Sequence, residues 1–302
     1  MSVGVIAIVG PTASGKSRVA LRLAEAIGGE IVNADAMQCY AGLPILTNKP
    51  SRSEIERVAH HLIGVWPISA DGDVAGYQQE AHRVIDAILA RGRVPIIVGG
   101  TGLYLRAAVA SLALPPRPPA GMRERITAEY LRDGAVATHA RLAARDPRAA
   151  ERVHPNDRRR VVRALELVEL GATLAPETDA LWTTETRHPT RLIGLVVERA
   201  QLHERIAART AAMFERGVVA EVAAILADHS PSLTASRTLG LDELRGVVDG
   251  VRSINDAHHH LLVRTRQYAR RQQVWMRRMP GIELVAPDEV TPSPPARTTA
   301  TG

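Results

Sequence analysis

The sequence predicts an α/β protein: a parallel sheet flanked by helices and interrupted by an all-helical insertion. Three observations carry this expectation. Val3–Val9 and Val94–Val98 are continuous apolar runs, the pattern of strands buried on both faces. Segments of helical periodicity alternate with them, as in a parallel sheet joined by crossover helices. A proline-rich stretch, Ser111–Ala120, then opens a long segment of purely helical texture.

The first strand, Val3–Val9, leads to a helix from about Gly15 that places Val19, Leu23 and Ile27 on one face. Gly28-Gly29 is its stop signal. A short strand, Glu30–Asn33, follows at once. Val74–Arg91 reads as a helix with Ala81, Val84, Ile85, Ile88 and Leu89 inward and Gly92 as its end. Residues 122–170 read as helical and arginine-rich, and strand Leu192–Val197 returns the chain to α/β character. The last helix is expected from Ser253 to Arg278. Its buried face would carry Ile254, Leu261, Thr265, Tyr268, Gln272, Trp275 and Met279. Arg264, Arg266, Arg270, Arg271, Arg277 and Arg278 would line the outer side, suited to a phosphate backbone. A short strand, Ile282–Val285, closes the core. The expected organisation is a core at 1–115, a helical insertion at 116–190, the rest of the core at 191–286, and a disordered tail at 287–302.

Composition narrows the class. The chain has 302 residues and a net charge of +6, which favours an anionic partner such as nucleic acid. Lysine occurs only as Lys16 and Lys49, so the charge is almost all arginine. One cysteine, Cys39, excludes a disulfide framework within the chain and fits a reducing compartment. No run of about 18 apolar residues suggests a membrane span. The start of the chain lacks a basic region and cleavage site, so the expected location is the cytoplasm. His60-His61 and His258-His259-His260 lack spaced acidic or thiolate partners, so zinc is not expected.

Gly10, Pro11, Thr12, Ala13, Ser14, Gly15, Lys16 and Ser17 match G-x-x-x-x-G-K-[ST] between an apolar strand and a helix start. Glycines let the backbone wrap a phosphate, amides and the helix N-terminus supply positive dipole, and Lys16 supplies a full charge. The Ser17 hydroxyl is a candidate ligand for Mg²⁺. The fold expectation is therefore a P-loop NTPase-like sheet. The loop alone fits kinases, GTPases, ATPases and enzymes with a diphosphate leaving group. Val94–Val98 ends in Gly99-Gly100 rather than Asp, and Asn48-Lys49-Pro50-Ser51 lacks the Asp of a guanine-reading motif, so the γ-phosphate apparatus is sparse.

Asp35, in Asn33-Ala34-Asp35-Ala36-Met37-Gln38, follows the second strand, beside the loop in a parallel sheet. A carboxylate there can act as metal ligand or general base. Gly99-Gly100-Thr101-Gly102 follows the third buried strand and offers a hydroxyl, with glycines that permit close approach of a ligand. His154-Pro155-Asn156-Asp157 followed by Arg158, Arg159, Arg160 and Arg163 reads as a capped, basic helix start.

The ordered set GPTASGKS, NADAMQ-Y, HHL, VGGTGLYL, HPNDRRRVVRALE and TRQYARRQQVW resembles bacterial tRNA dimethylallyltransferases, also called tRNA isopentenyltransferases, over about residues 4–280. The resemblance implies transfer of a dimethylallyl group from dimethylallyl diphosphate to N6 of the adenosine at tRNA position 37, with Mg²⁺ and release of diphosphate. It implies that Gly10–Ser17 hold the diphosphate and that Asp35 is the general base. It places Thr101 on the leaving-group side, in contact with substrate, and Arg209 on the diphosphate. Asp35, Ala36, Met37, Gln38, Thr101, Arg123, Arg159, Arg160, Val161, Val162 and Arg163 match positions that contact tRNA. The partner implied is the anticodon stem-loop, and a monomer is expected. The chain departs from the family at Ala36, where serine is common, at Pro44–Lys49, at Glu198-Arg199, and at Leu241, where tyrosine is usual.

Overall fold

The computed structural model describes residues 4–115, 117–175 and 180–292. The chain divides into two compact units, 1–112 with 182–302, and 113–181.

The first unit contains β1 (Val5–Val9), α1 (Lys16–Ile27), β2 (Glu30–Asn33), α2 (Arg52–Arg57), β3 (His60–His61), α3 (Val74–Ala90), β4 (Pro95–Gly99) and α4 (Gly102–Val109). The six strands lie in the order β3-β2-β4-β1 and then two later strands, β5 (Thr190–Leu195) and β6 (Glu283–Val285). All pairings are parallel. The apolar runs read from the sequence form its centre: every residue of β1 and β4 is buried. Ile6, Ile8, Ile96 and Ile193 pack there with Val19, Leu23 and Ala24 of α1. Such packing is the main stabilising term, about 25 cal/mol per Å² of apolar surface removed from water.

The sheet geometry places three loop starts side by side. Val9 is in register with Gly99, and Asn33 with Val98. The residues after β1, β2 and β4 therefore meet at the carboxyl end of the sheet, the usual ligand crevice of an open parallel sheet.

The second unit is helical: α5 (Met122–Asp133), α6 (Ala135–Arg145), α7 (Pro147–Arg152) and α8 (Arg158–Glu169). Its core joins Ile126, Tyr130, Leu142, Val161, Val162 and Leu165. Asp157 caps α8 by accepting the Arg160 amide at 3.1 Å. A buried carboxylate, Glu166, receives two hydrogen bonds from Arg123, at 2.6 and 3.0 Å, and one from Arg163 at 3.0 Å. Burial alone would raise its pKa, but these bonds outweigh burial and hold it below the ordinary carboxylate value.

After the insertion, the first unit is completed by β5, α9 (Arg199–Glu215), α10 (Val218–Asp228), α11 (Leu241–Val248), α12 (Ile254–Arg277) and β6. Among the described residues, no helix is long and apolar enough to cross a membrane.

Several sequence expectations shift. Residues 182–190 cluster with the sheet unit rather than with the insertion. Strand β3 was not foreseen: its two residues are too few for periodicity to register, and His61 pairs with Glu30 at 2.7 Å. Ile254 is 55% exposed, because α12 begins beyond the core at its first turn. The expected disordered tail begins too early: Val290 is buried against α1, and Arg22 donates to the carbonyls of Pro287 and Val290. Residues 293–302 of that tail lie outside the described residues.

Candidate active site

A cavity of about 480 Å³ opens at the crevice of the sheet unit. The phosphate loop forms one end. Gly15 adopts φ +93° and N-caps α1, a conformation that suits glycine. A Cβ on Gly10 would stand 2.8 Å from Ser14 Oγ, so only glycine lets the loop fold this tightly. Ser14 Oγ is buried and has no hydrogen-bond partner among the described residues. Buried hydroxyls are normally satisfied, so this atom fits a ligand that brings acceptor oxygens. Lys16 Nζ donates to the Pro11 carbonyl at 2.7 Å. Desolvation brings Lys16 down from 10.5 to about 8; Asp35 partly restores it, and Arg209 pushes it lower. An anion in the cavity would reverse that shift.

Helix α9 supplies Arg209, whose Nη1 donates to Thr12 Oγ1 at 2.8 Å. Burial lowers its pKa, and the charge of Asp35 opposes the fall. Its position, on the loop and across the cavity from α1, sets a second cation on the phosphate end.

Asp35 is held by its own turn. Its amide donates to Asn33 Oδ1 at 2.9 Å, and its Oδ1 accepts the Met37 amide at 3.0 Å. Oδ2 accepts no hydrogen bond from the described residues, so a lone pair remains for a proton. Gln38 spends its amide group on the carbonyls of Thr47 and Asn48, at 3.1 and 2.9 Å. Met37 lines the cavity together with Leu46, Met213, Leu239 and Leu261, which belong to one apolar cluster. Cationic groups, an apolar cluster and a carboxylate in one cavity suit a substrate that joins a diphosphate to a hydrocarbon.

Thr101 sits at the N-cap of α4, and its hydroxyl makes no capping bond. The glycines around it leave room for a close neighbour, and the sequence points to a ligand. The structure fills that room with α12: a Cβ on Gly100 would lie 2.0 Å from Gln272 Nε2, and one on Gly102 would lie 2.0 Å from Trp275 Cε3. These glycines serve helix packing.

Ser17 lines the cavity in the first turn of α1 and is exposed. Among the described residues, no group of three or more His, Cys, Asp or Glu could hold a metal alone. Ser17, with Asp35 in the same cavity, fits Mg²⁺ carried mainly by substrate phosphate oxygens and water. Cys39 is buried, and burial with the nearby charge of Asp35 raises its thiol to about 12, which makes it a packing residue.

The helical unit holds the other candidates. Arg158, Arg159 and Arg160 are exposed on the first turn of α8. Val161 and Val162, at 0% and 5% exposure, face the core, so they could offer a ligand only backbone atoms. Arg123 and Arg163 share Glu166.

The sequence reading missed Glu221, which accepts the amides of Ile45 and Leu46 at 2.7 and 2.8 Å and fixes one cavity wall. It also missed the partners of Tyr268 and Gln272, which it placed only on a buried helix face. The departures are absorbed structurally. Leu241 is buried in the core under the cavity, and Glu198 caps α9 by accepting the Gln201 amide.

Comparison with known proteins places this arrangement. A family model described as IPP transferase matches residues 38–279. A tRNA dimethylallyltransferase from Salinispora arenicola is 44% identical over 279 residues, covering 92% of this chain and 81% of that one. One from Streptomyces coelicolor is 44% identical over 283 residues, covering 93% and 90%. The crystal structure of a tRNA isopentenylpyrophosphate transferase from Bacillus halodurans has a TM-score of 0.69 at 34% identity, covering 94% of this chain and 90% of that one. That of a eukaryotic dimethylallyltransferase acting on tRNA has a TM-score of 0.74 at 27% identity, covering 94% and 73%. The chain belongs to the IPP transferase family.

Proposed function

We propose that the protein is a tRNA dimethylallyltransferase that moves a dimethylallyl group from dimethylallyl diphosphate to N6 of the adenosine at tRNA position 37. The observation that carries this reading is the single cavity that joins a phosphate loop, Arg209, the carboxylate of Asp35 and an apolar cluster. A nucleotide kinase would need no apolar cluster of that kind.

The acceptor is a poor nucleophile, because its lone pair is delocalised into the adenine ring. Two features of the site answer this. Lys16, Arg209 and the loop amides stabilise the charge that grows on the leaving diphosphate as the allylic C–O bond breaks. Asp35 Oδ2 accepts the N6 proton as the C–N bond forms, a role typically worth ~10²–10⁴-fold. Mg²⁺, held by Ser17 and the diphosphate, would add neutralising charge there. Thr101, at the start of α4, is expected in contact with substrate on the leaving-group side. The adenosine must leave its stack to reach Asp35, which is easiest in an anticodon loop. Arg159 and Arg160 on α8 suit phosphate contacts on the stem, and Arg123 and Arg163 are expected at the same partner. All of these groups come from one chain, so a monomer suffices. The reaction belongs with tRNA in the cytoplasm.

The test is mass spectrometry of a tRNA with adenosine at position 37 after incubation with the protein, Mg²⁺ and dimethylallyl diphosphate. A five-carbon addition at that adenosine is expected. Its absence would sink the reading.

A further inference from the structure

Helix α12 reaches both halves of the site at once. Gln272 is 5% exposed, a carboxamide on a helix face whose other buried residues are Ala257, Leu261, Thr265, Ala269 and Met276. Its Oε1 accepts the Thr12 amide at 2.7 Å, across 260 residues of chain. Its Nε2 lies directly over the backbone of Gly100. One turn earlier, the Tyr268 hydroxyl lies 3.4 Å from Thr101 Oγ1. Two adjacent turns of one helix therefore link the loop after β1 to the loop after β4.

Packing alone does not call for this pair. Burying a carboxamide is costly unless its polar atoms are satisfied, and Leu or Met would fill the same space without that demand. Thr12 shows what the pair provides. Its hydroxyl is tied to Arg209 on α9, and its amide to Gln272 on α12. With both ties the peptide has one orientation, so the loop amides face a diphosphate without reorganising.

We propose that Gln272 and Tyr268 form a positioning brace that holds Thr12 and Thr101 in one register, and so fixes the loop after β1 against the loop after β4 around the leaving diphosphate. The inference rests on the transfer reaction proposed above. Both residues act through their partners: Gln272 through the loop, Tyr268 through the Thr101 hydroxyl.

The test uses the full chain. Gln272→Met keeps length and apolar packing while removing both polar atoms. Titration with inorganic diphosphate and Mg²⁺ should show roughly tenfold weaker binding, the order expected when a buried amide loses its partner. The donor kcat/KM should fall by a similar factor with KM for tRNA unchanged, a split that general loosening of the fold would not give. Tyr268→Phe should lower kcat about three- to tenfold, and that cost should vanish in a Thr101→Ala background, because coupled residues are non-additive. Unchanged diphosphate affinity in folded Gln272→Met, or an equal Tyr268→Phe cost with and without Thr101, overturns the brace. The diphosphate titration does not depend on transfer to tRNA, so it separates failure of the brace from failure of the proposed reaction. If Gln272→Met does not fold, the Tyr268–Thr101 cycle decides.

Discussion

Lys16 should make the empty enzyme less stable, and removing its charge should show by how much. Its pKa lies at about 8 in the folded chain against an ordinary 10.5. That gap of about 2.5 pH units is worth about 3 kcal/mol at ~1.4 kcal/mol per unit. Below pH 8, Lys16 is charged in both folded and unfolded chains, and the folded state bears the whole desolvation cost. Between about 8 and 10.5 the unfolded chain binds more protons, so stability rises with pH. Above 10.5 both states are neutral and the penalty is gone. Lys16→Met removes the charge but also the bond to the Pro11 carbonyl and the attraction to Asp35. A net gain of about 2 kcal/mol at pH 7 is expected after roughly 1 kcal/mol is allowed for the lost bond. Urea unfolding followed by tryptophan fluorescence suits the measurement, because Trp66, Trp182 and Trp275 all lie in the sheet unit. The difference between variant and wild type should shrink as pH rises from 8 to 10.5, while the variant loses diphosphate binding. A variant less stable than wild type at pH 7, or parallel stability curves across that range, would refute the reasoning.

Asp35→Ala should lower kcat by roughly 10²–10⁴-fold with tRNA affinity almost unchanged; single-turnover kinetics beside binding titrations check this, and equal losses of rate and affinity would rule out a general base. Affinity for tRNA should fall steeply with salt, and Arg159→Ala should flatten the log–log slope by roughly one phosphate contact, ~0.7–0.9; salt-independent binding contradicts the phosphate contacts. Glu166→Ala removes the partner of the partly exposed Arg123 and Arg163 and leaves a void in the helical core, so that unit should lose about 1–3 kcal/mol, seen by circular dichroism or amide exchange over α5 and α8. Because the pKa of Glu166 is depressed, its stabilisation is present above the ordinary carboxylate range and lost as pH falls through its folded value. An acid-unfolding profile of α5 and α8 that Glu166→Gln does not alter would contradict this.

What was legible in the sequence follows a physical division. The phosphate loop, the end of β2 and the helix start at residues 156–157 are local grammar, set by residues a few positions apart: β2 runs Glu30–Asn33 as expected and Asp157 takes the cap, whereas the strands expected at 94–98 and 192–197 shift to Pro95–Gly99 and Thr190–Leu195. The register of β1, β2 and β4 then brings Asp35 and Thr101 to the loop without further instruction. Long-range partners were not legible. The glycines at 100 and 102 permit close approach, yet nothing nearby says whether a ligand or a helix arrives. The answer is α12, some 170 residues later. The helical period places Gln272 on a buried face, and a buried carboxamide obliges a partner that the period does not name. Which partner depends on what the helix crosses, and that is a property of the sheet order rather than of α12. The same holds for Glu221, whose acceptors are two backbone amides of a distant loop. The groups that meet substrate are thus announced by short motifs, whereas those that hold them still appear only as polar residues on apolar helix faces. A sequence search for positioning residues in this fold should begin with such residues on the two helices, α9 and α12, that close over the phosphate loop.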